Sequence, residues 1–172
     1  MKNNDHPLIT ELNNTAEDLL RTLSGFSEAQ LNIVPFENSW TGGQVAEHLI
    51  LSGGVTGAIY GNTAPAHRQP DANVATIGGI FLDFSTRLNS PDFIVPRIAY
   101  YWKKDVLEKL QTIWTDCCNA AQTMDLSALC LDFELPGMGQ LTRLEWLYFY
   151  CFHTQRHIRQ LEKIYAALMV PA

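Results

Sequence analysis

Apolar residues recur every three to four positions in four segments of the chain, the pattern of an α-helix that buries one face. Two of these segments have clear starts. Pro7 opens the first, which stops at Ser24-Gly25, and Thr41 with Gln44 gives the second a capping-box pattern. The four predicted helices span residues 7–25, 42–60, 102–124 and 142–169. The pattern therefore predicts an all-α protein.

The rest of the chain is dominated by one long connection. Residues 61–100 hold several prolines and glycines and no sustained helical period, apart from a short helical piece near IGGIFLDFS. The segment SALCLDFELPGMGQL, before the last helix, has an extended character. Four helices with a long crossover between the second and the third predict a four-helix bundle, which we expect to form a single domain over residues 1–172.

The charge balance narrows the range of partners. The 172-residue chain carries a formal net charge of -6, with acidic and basic residues scattered along it. Proteins that bind nucleic acid or anionic membranes usually carry a basic patch, so neither partner is expected. The N-terminus has no apolar signal-peptide core, and the longest apolar run, LEWLYFYCF, is too short to span a bilayer. We therefore expect a soluble, cytoplasmic protein.

The four cysteines form no disulfide or zinc motif. Cys117 and Cys118 are adjacent, whereas Cys130 and Cys151 stand alone, so there is no CxxC pair. Reduced thiols are expected. Cys151 precedes His153 by two residues, a rotation of roughly 200° on a helix, and is interpreted as a small core residue. The pattern assigns no role to Cys130.

Three histidines fall on the inward faces of two predicted helices. The inner stripe of the fourth helix comprises Trp146, Phe149, Tyr150, His153, His157, Leu161 and Ile164, and that of the second comprises Val45, His48, Ser52, Val55 and Ile59. Any one of the histidines alone is most simply a core residue that donates one N–H to a carbonyl. Together they favour a metal site. Imidazoles four residues apart can chelate one cation, and a third from a facing helix leaves one coordination position open.

The pair on the fourth helix has the spacing of a zinc-protease motif but lacks its base. The segment HTQRH has Thr154 at the position where an HExxH motif places glutamate. Peptide hydrolysis by that mechanism is therefore not supported.

Two sequence elements carry a resemblance to a known family. SWTGGQVAEHL places Trp40 ahead of the second helix and His48 within it, and GQLTRLEWLYFYCFHTQRHIRQLEKI places His153 and His157 in the fourth. With these elements the chain resembles, over nearly its whole length, the DinB-like superfamily, which includes YfiT-like metal-dependent hydrolases and bacillithiol- or mycothiol-dependent transferases. The resemblance implies a four-helix bundle of DinB/YfiT-like topology. It also implies a divalent metal ion held by His48, His153 and His157.

Two further residues of the fourth helix are candidates for weaker roles. Arg156 could bind an anionic substrate group, but it also lies on a charged side of the helix with Arg159 and Lys163, and a solvated position is the favoured interpretation. Gln160 could be an outer partner that fixes the tautomer of His157, or it could serve packing.

The remaining candidates near the predicted site are not expected to bind the metal. Glu47 neighbours His48 but is rotated by about 100° from it on the helix. His6 and His67 lie outside the periodic core, and both are expected to be solvated.

An ion with three imidazole ligands and one open position supports a limited chemistry. A divalent ion such as zinc or nickel can activate either water or a thiolate there. The first route gives hydrolysis of a small molecule, and the second gives a thiol-dependent S-transferase, which the family resemblance favours for some members. A non-catalytic, stress-related metal-binding protein would use the same ligands, so this alternative stays open. We also expect a homodimer, from the resemblance and the many aromatic residues.

Overall fold

The computed structural model describes residues 6–169 and is mostly helical, which confirms the predicted all-α class. The described residues form seven α-helices: α1 (Pro7–Gly25), α2 (Glu28–Leu31), α3 (Gly42–Ser52), α4 (Val55–Tyr60), α5 (Val74–Phe81), α6 (Lys103–Thr123) and α7 (Arg143–Leu168). They also form the strands β1 (Thr63–Ala64) and β2 (Leu129–Cys130) and a 3-10 turn, Asp92–Ile94. No helix among them has the length and apolar character needed to cross a membrane.

Capping boxes set the starts of α3 and α7. The side chains of Thr41 and Thr142 accept a hydrogen bond from the backbone N–H three residues further on. In return, the side chains of Gln44 and Glu145 accept one from the backbone N–H of the capping threonine, each at 2.9 Å. Each box satisfies two N–H groups that a helix start otherwise leaves free. The predicted starts of both histidine-bearing helices are confirmed.

α1 begins with a different cap. Pro7 is its first residue, and Nδ1 of His6 accepts a hydrogen bond from the backbone N–H of Leu8 at 3.1 Å. His6 is partly buried, so it is less exposed to solvent than predicted. His67 is exposed, as predicted.

The predicted second helix, residues 42–60, is not continuous: it breaks at Gly53 and Gly54 into α3 and α4. The backbone N–H of Gly54 bonds to the carbonyl of Leu51, three residues earlier, so the helix tightens here. A Cβ at residue 53 would lie 2.6 Å from the Ile113 side chain of α6, so glycine allows the close approach of the two helices. The apolar stripe continues across the break, which is why periodicity does not detect it.

The long helices pack around a shared core. α1 lies against α6 and α7, and α3 with α4 lies against the same two helices. Tyr150 of α7 stacks on Trp114 of α6 with 4.9 Å between the ring centroids, and its hydroxyl donates to the Leu49 carbonyl of α3 at 3.0 Å. These contacts join α7 to α3 next to His48 and one turn from His153.

The connection between α4 and α6, residues 61–102, is the crossover. Its helix α5 packs on α7 and its 3-10 turn packs on α3, so it lies over both histidine-bearing helices. β1, near its start, pairs antiparallel with β2, with Thr63 opposite Cys130 and Ala64 opposite Leu129. The predicted short helix near IGGIFLDFS is confirmed as α5, whereas the strand pairing has no signature in the sequence.

An ion pair between the partly exposed Arg68 and the buried Glu145 holds the first part of the crossover on α7. The side chain of Glu145 is fully buried, and Arg68 donates to both of its oxygens at 2.5 and 2.6 Å. The backbone N–H of Asn73 donates to the same carboxylate at 2.8 Å. Because the buried charge has a cation and several donors, Glu145 can serve as an anchor without an unpaired group.

All four cysteines are free, as predicted. Cys117, Cys130 and Cys151 are buried and Cys118 is partly buried. Cys151 occupies the core position on α7 that its place in the sequence predicts.

Candidate metal centre

His48, His153 and His157, the histidine triad, come together between α3 and α7. Nε2 of His153 lies 3.0 Å from Nε2 of His48 and 3.1 Å from Nε2 of His157. The three ligand nitrogens are all within 4.8 Å of one another, and residues 6–169 contain no other such cluster of three or more histidine, cysteine or acidic side chains. The triad is therefore positioned to bind one metal ion.

The crossover fixes the tautomer of His48. Nδ1 of His48 lies 2.8 Å from the carbonyl oxygen of Ile94, the last residue of the 3-10 turn. A carbonyl can only accept, so Nδ1 carries the proton and Nε2 keeps its lone pair. His48 as a whole residue is 1% exposed. His48 therefore presents a free lone pair to the other two histidines.

Gln160 fixes the tautomer of His157, as the carbonyl of Ile94 fixes that of His48. The side-chain oxygen of Gln160 accepts a hydrogen bond from Nδ1 of His157 at 2.8 Å. This leaves the lone pair of His157 on Nε2, which faces His153. Metal-bound histidines usually have an outer partner of this kind, and that role for Gln160 stays a prediction.

His153 is held by aromatic packing rather than by a hydrogen bond on Nδ1. Its ring lies parallel to Phe149 with 5.5 Å between centroids and edge-on to Phe81 at 5.6 Å. Among the described residues, Nδ1 of His153 is buried and has no hydrogen-bond partner. Within residues 6–169, the ring of His153 therefore makes its polar contacts through Nε2, with His48 and His157.

Burial keeps the triad neutral. Removal from water lowers the pKa of His48, and it lowers the pKa of His153 well below its usual range. The same cause, helped by the nearby His48, lowers the pKa of His157 to about 3. Neutral imidazole is the form that binds metal, so all three side chains are available as ligands at neutral pH.

The tautomers of His48 and His157 leave more nitrogen lone pairs in the triad than there are N–H groups to pair with them, and a cation would bind these lone pairs. His48 and His157 both direct a lone pair at Nε2 of His153, and one N–H there can satisfy only one of them. If Nε2 of His153 is also unprotonated, three lone pairs converge, which is the donor set of an open three-histidine site. Three neutral nitrogens suit a borderline divalent ion such as zinc or nickel. The residues present fit the implied metal.

Aromatic rings surround the triad. The ring centroid of Trp40 lies 5.3 Å from that of His48, and Phe81 and Phe149 flank His153. All three of these side chains are only partly buried. A molecule that reached the triad past them would meet apolar walls.

Arg156 binds the crossover instead of pointing freely into solvent. One guanidinium nitrogen donates to the carbonyls of Phe81 at 3.3 Å and Asp83 at 2.8 Å, and the other donates to the carbonyl of Thr86. The favoured prediction of a solvated Arg156 does not anticipate these partners. Its predicted contact with an anionic substrate group stays a prediction.

Glu47 lies next to His48 in the chain but outside the cluster of ligand atoms, as expected. It is 7% exposed, and its Oε2 accepts hydrogen bonds from the backbone N–H groups of Arg97 at 3.0 Å and Ile98 at 3.1 Å and from the hydroxyl of Tyr101. The sequence does not predict the hydrogen bonds of Glu47 with Arg97 and Ile98 or that of His48 with Ile94. These bonds involve main-chain groups, which every residue type has.

The comparisons with known proteins give one positive result. No match was found among curated proteins or among solved structures. The family model of the DinB superfamily matches residues 11–161, which is most of the chain and includes the whole triad. The resemblance carried by the two sequence elements is thereby confirmed, and the chain belongs to the DinB superfamily.

Proposed function

We propose that the protein is a metal-dependent enzyme that holds zinc or nickel at His48, His153 and His157 and transfers a low-molecular-weight thiol to a small electrophile, or else hydrolyses a small molecule. The observation that carries the proposal is the convergence of three Nε2 atoms, two of them with their proton fixed on the opposite nitrogen. When bound, the cation would supply Lewis acidity that lowers the pKa of a thiol or of water.

The thiol of such a reaction would come from outside the chain. Burial raises the pKa of Cys130 to about 11, raises that of Cys118, and raises those of Cys117 and Cys151 well above their usual range. A thiol attacks as its thiolate, so none of the four is suited to the task. A low-molecular-weight thiol is the corresponding cosubstrate.

The surroundings of the triad favour transfer over hydrolysis. Activation of water is helped by a general base, but Thr154 stands where related motifs carry glutamate, and no carboxylate of residues 6–169 joins the cluster. A thiolate needs no such base, and its charge balances a cation held by neutral ligands. The aromatic side chains of Trp40, Phe81 and Phe149 suit an apolar electrophile.

The transfer can be written as a balanced displacement. The thiolate sulfur forms a bond to an electrophilic carbon of the second substrate, and the leaving group departs with the bonding electron pair. The proton of the thiol passes to solvent. In the hydrolytic version, water replaces the thiol as the nucleophile.

The predicted homodimer and cytoplasmic location belong to the same proposal. Large apolar side chains are exposed on the described surface, among them Phe93 at 75% and Trp102 at 60%. Pairing of two copies would cover surface of this kind. Analytical ultracentrifugation at micromolar concentration is expected to show a dimer, and a monomer would contradict this part.

The experiment compares the wild type with His153→Ala and, as a matched control, with His67→Ala, an exposed histidine outside the cluster. Protein purified without chelator is analysed for bound metals and then assayed with thiols plus alkyl halides or epoxides, and with simple esters and amides. Thiol-dependent turnover that is lost only in His153→Ala supports transfer, and thiol-independent turnover supports hydrolysis. Metal without turnover would favour the non-catalytic alternative, and absence of metal would overturn the proposal.

A further inference from the structure

Two adjacent residues of α3 bind the same part of the crossover. His48 donates its Nδ1 proton to the carbonyl of Ile94 at 2.8 Å. Glu47 accepts the backbone N–H groups of Arg97 and Ile98 at 3.0 and 3.1 Å. The carbonyl of Ile94, which fixes the tautomer of His48, thus lies three residues before Arg97, whose backbone N–H donates to Glu47.

The segment between these two contacts has little conformational freedom. Pro96 has its φ angle fixed by its ring, and Val95 is restricted because it precedes proline. Val95 indeed has φ of -75° and ψ of 129°, in the extended region. The two residues between Ile94 and Arg97 therefore have few free backbone torsions with which to absorb a displacement of Arg97.

The same carboxylate also holds the end of the crossover. Tyr101 donates its hydroxyl to Glu47, and its ring lies so close to Gly43 of α3 that a Cβ there would collide with it. The side chain of Asn32 bonds both the N–H and the carbonyl of Tyr101, at 2.8 and 3.0 Å. Residues 94–101 are thus docked on α3 as one unit, with Glu47 bound at three of its residues.

We propose that Glu47 is a positioning residue of the metal centre: it docks residues 94–101 on α3 and so keeps the Ile94 carbonyl in place for His48. The inference rests on the metal site of the proposed function and adds that metal binding and crossover docking are coupled. Such a coupling is reciprocal, so metal on the triad stabilises the docked segment as much as docking strengthens the binding of metal.

Glu145 offers a matched control within the same chain. It is also a buried glutamate, and it also accepts a backbone N–H of the crossover, that of Asn73. It lies eight residues before His153 on α7, which is about 12 Å along a helix. Glu145→Gln therefore weakens the other end of the crossover without acting on the His48 acceptor.

The test measures the affinity for Zn²⁺ by chelator competition, and the visible spectrum of the Co²⁺ form, in the wild type, Glu47→Gln and Glu145→Gln. We expect Glu47→Gln to bind Zn²⁺ about 10-fold more weakly, at the low end of the losses seen for outer partners of metal ligands. Its Co²⁺ spectrum should change because the neutral amide oxygen accepts the hydrogen bonds of the crossover more weakly, so that the Ile94 carbonyl and the His48 ring bound to it are held less firmly. Glu145→Gln should match the wild type in both measurements.

Hydrogen exchange supplies the reciprocal readout. Zn²⁺ should slow exchange of the backbone amides in residues 94–101 of the wild type, and slow it less in Glu47→Gln. Equal Zn²⁺ affinity of the wild type and Glu47→Gln would overturn the role of Glu47 and leave the metal site standing. Failure of the wild type to bind either metal would instead overturn the site itself, and this inference with it.

A second variant keeps the inference testable if Glu47→Gln does not fold. Tyr101→Phe removes one of the three hydrogen bonds to Glu47 and retains the ring against Gly43. The expected loss of Zn²⁺ affinity is about two- to fivefold, the equivalent of one hydrogen bond. An affinity equal to that of the wild type would contradict the assignment.

Discussion

On α7, His157 donates its Nδ1 proton to Gln160, three residues further along the same helix, whereas on α3, His48 donates the same proton to Ile94, 46 residues further along the chain. Both bonds measure 2.8 Å. The helices differ in length as well, since α7 runs unbroken over 26 residues and α3 ends after 11 at a pair of glycines. The hydrogen-bond acceptor for His157 thus lies on α7 itself, whereas the acceptor for His48 lies on the crossover and not on α3.

The difference separates local from long-range control of a metal site. The geometry of His157 is set once α7 forms, because residues three apart meet on one face of a helix. The geometry of His48 is set only after the crossover has docked, and that docking depends on Glu47 and on the packing of Tyr101 against Gly43. We expect the α3 side of the site to be the more sensitive to change at a distance.

The largest effect is expected from His153→Ala, which removes the ligand that the two helices share. Nε2 of His153 lies within 3.1 Å of both His48 and His157, so its loss leaves two ligands on different helices. Affinity for Zn²⁺ should fall by well over the roughly 100-fold that marks the upper end for outer partners. Isothermal titration measures it, with His67→Ala as the unaffected control. Retention of tight binding in His153→Ala would contradict the assignment of the shared ligand.

The second effect is a loss of stability in acid that both helices contribute to. The unfolded chain binds a proton at each triad histidine near its usual pKa of about 6.5, while burial lowers the folded-state pKa of all three, that of His157 to about 3. Below about pH 6.5 the unfolded state therefore holds more protons, and the free energy of unfolding falls as the pH falls. Each histidine contributes up to about 1.4 kcal/mol per pH unit.

Urea unfolding of metal-free protein between pH 7 and pH 4.5 measures this slope. Other groups titrate in the same range, so the informative quantity is the difference between the wild type and His157→Gln. In His157→Gln, the free energy of unfolding should depend on pH less steeply, by about 1.4 kcal/mol per pH unit, because one titrating group has been removed. Identical slopes would show that His157 is protonated as readily in the folded chain as in the unfolded one.

The third prediction concerns the break that makes α3 shorter than α7. Gly53→Ala places a Cβ 2.6 Å from Ile113 and 3.0 Å from the carbonyl oxygen of Ile50, which should destabilise the fold by about 1–3 kcal/mol. Gly57→Ala is the matched control on α4, where a Cβ meets no atom within 4 Å. It should stabilise by up to about 1 kcal/mol through helix propensity. Equal effects of the two substitutions in thermal unfolding would mean that α6 does not press on residue 53.

The same contrast explains which parts could be predicted from the sequence. The placement of His153 and His157 on one face of α7, and of His48 on α3, follows from helical periodicity, and the capping threonines gave the correct starts. Periodicity does not reveal the break at Gly53, because the apolar stripe continues across it and the close approach of α6 is a contact between distant segments. The acceptor of His48 is hidden because every residue of the crossover has a carbonyl. Helix faces and helix caps could be predicted from the sequence, whereas main-chain contacts between distant segments could not.

The smallest effect is expected from Gln160→Leu, which removes the support that α7 provides for itself. Gln160 is partly exposed, so water can replace its oxygen as the acceptor for Nδ1 of His157. Affinity for Zn²⁺ should fall by less than 10-fold, at or below the lower end for outer partners.

The matched control for this last change is Gln155→Leu on the same helix, because Gln155 bonds to Thr15 of α1 at 3.0 Å and not to the triad. It should alter stability without altering Zn²⁺ affinity. A loss in Gln160→Leu that exceeded the loss in Glu47→Gln would reverse the comparison between the helices. It would mean that the contact of Gln160 with His157 contributes more to metal binding than the docking of the crossover by Glu47 does, and that the α7 side of the site is the more sensitive to loss of its support.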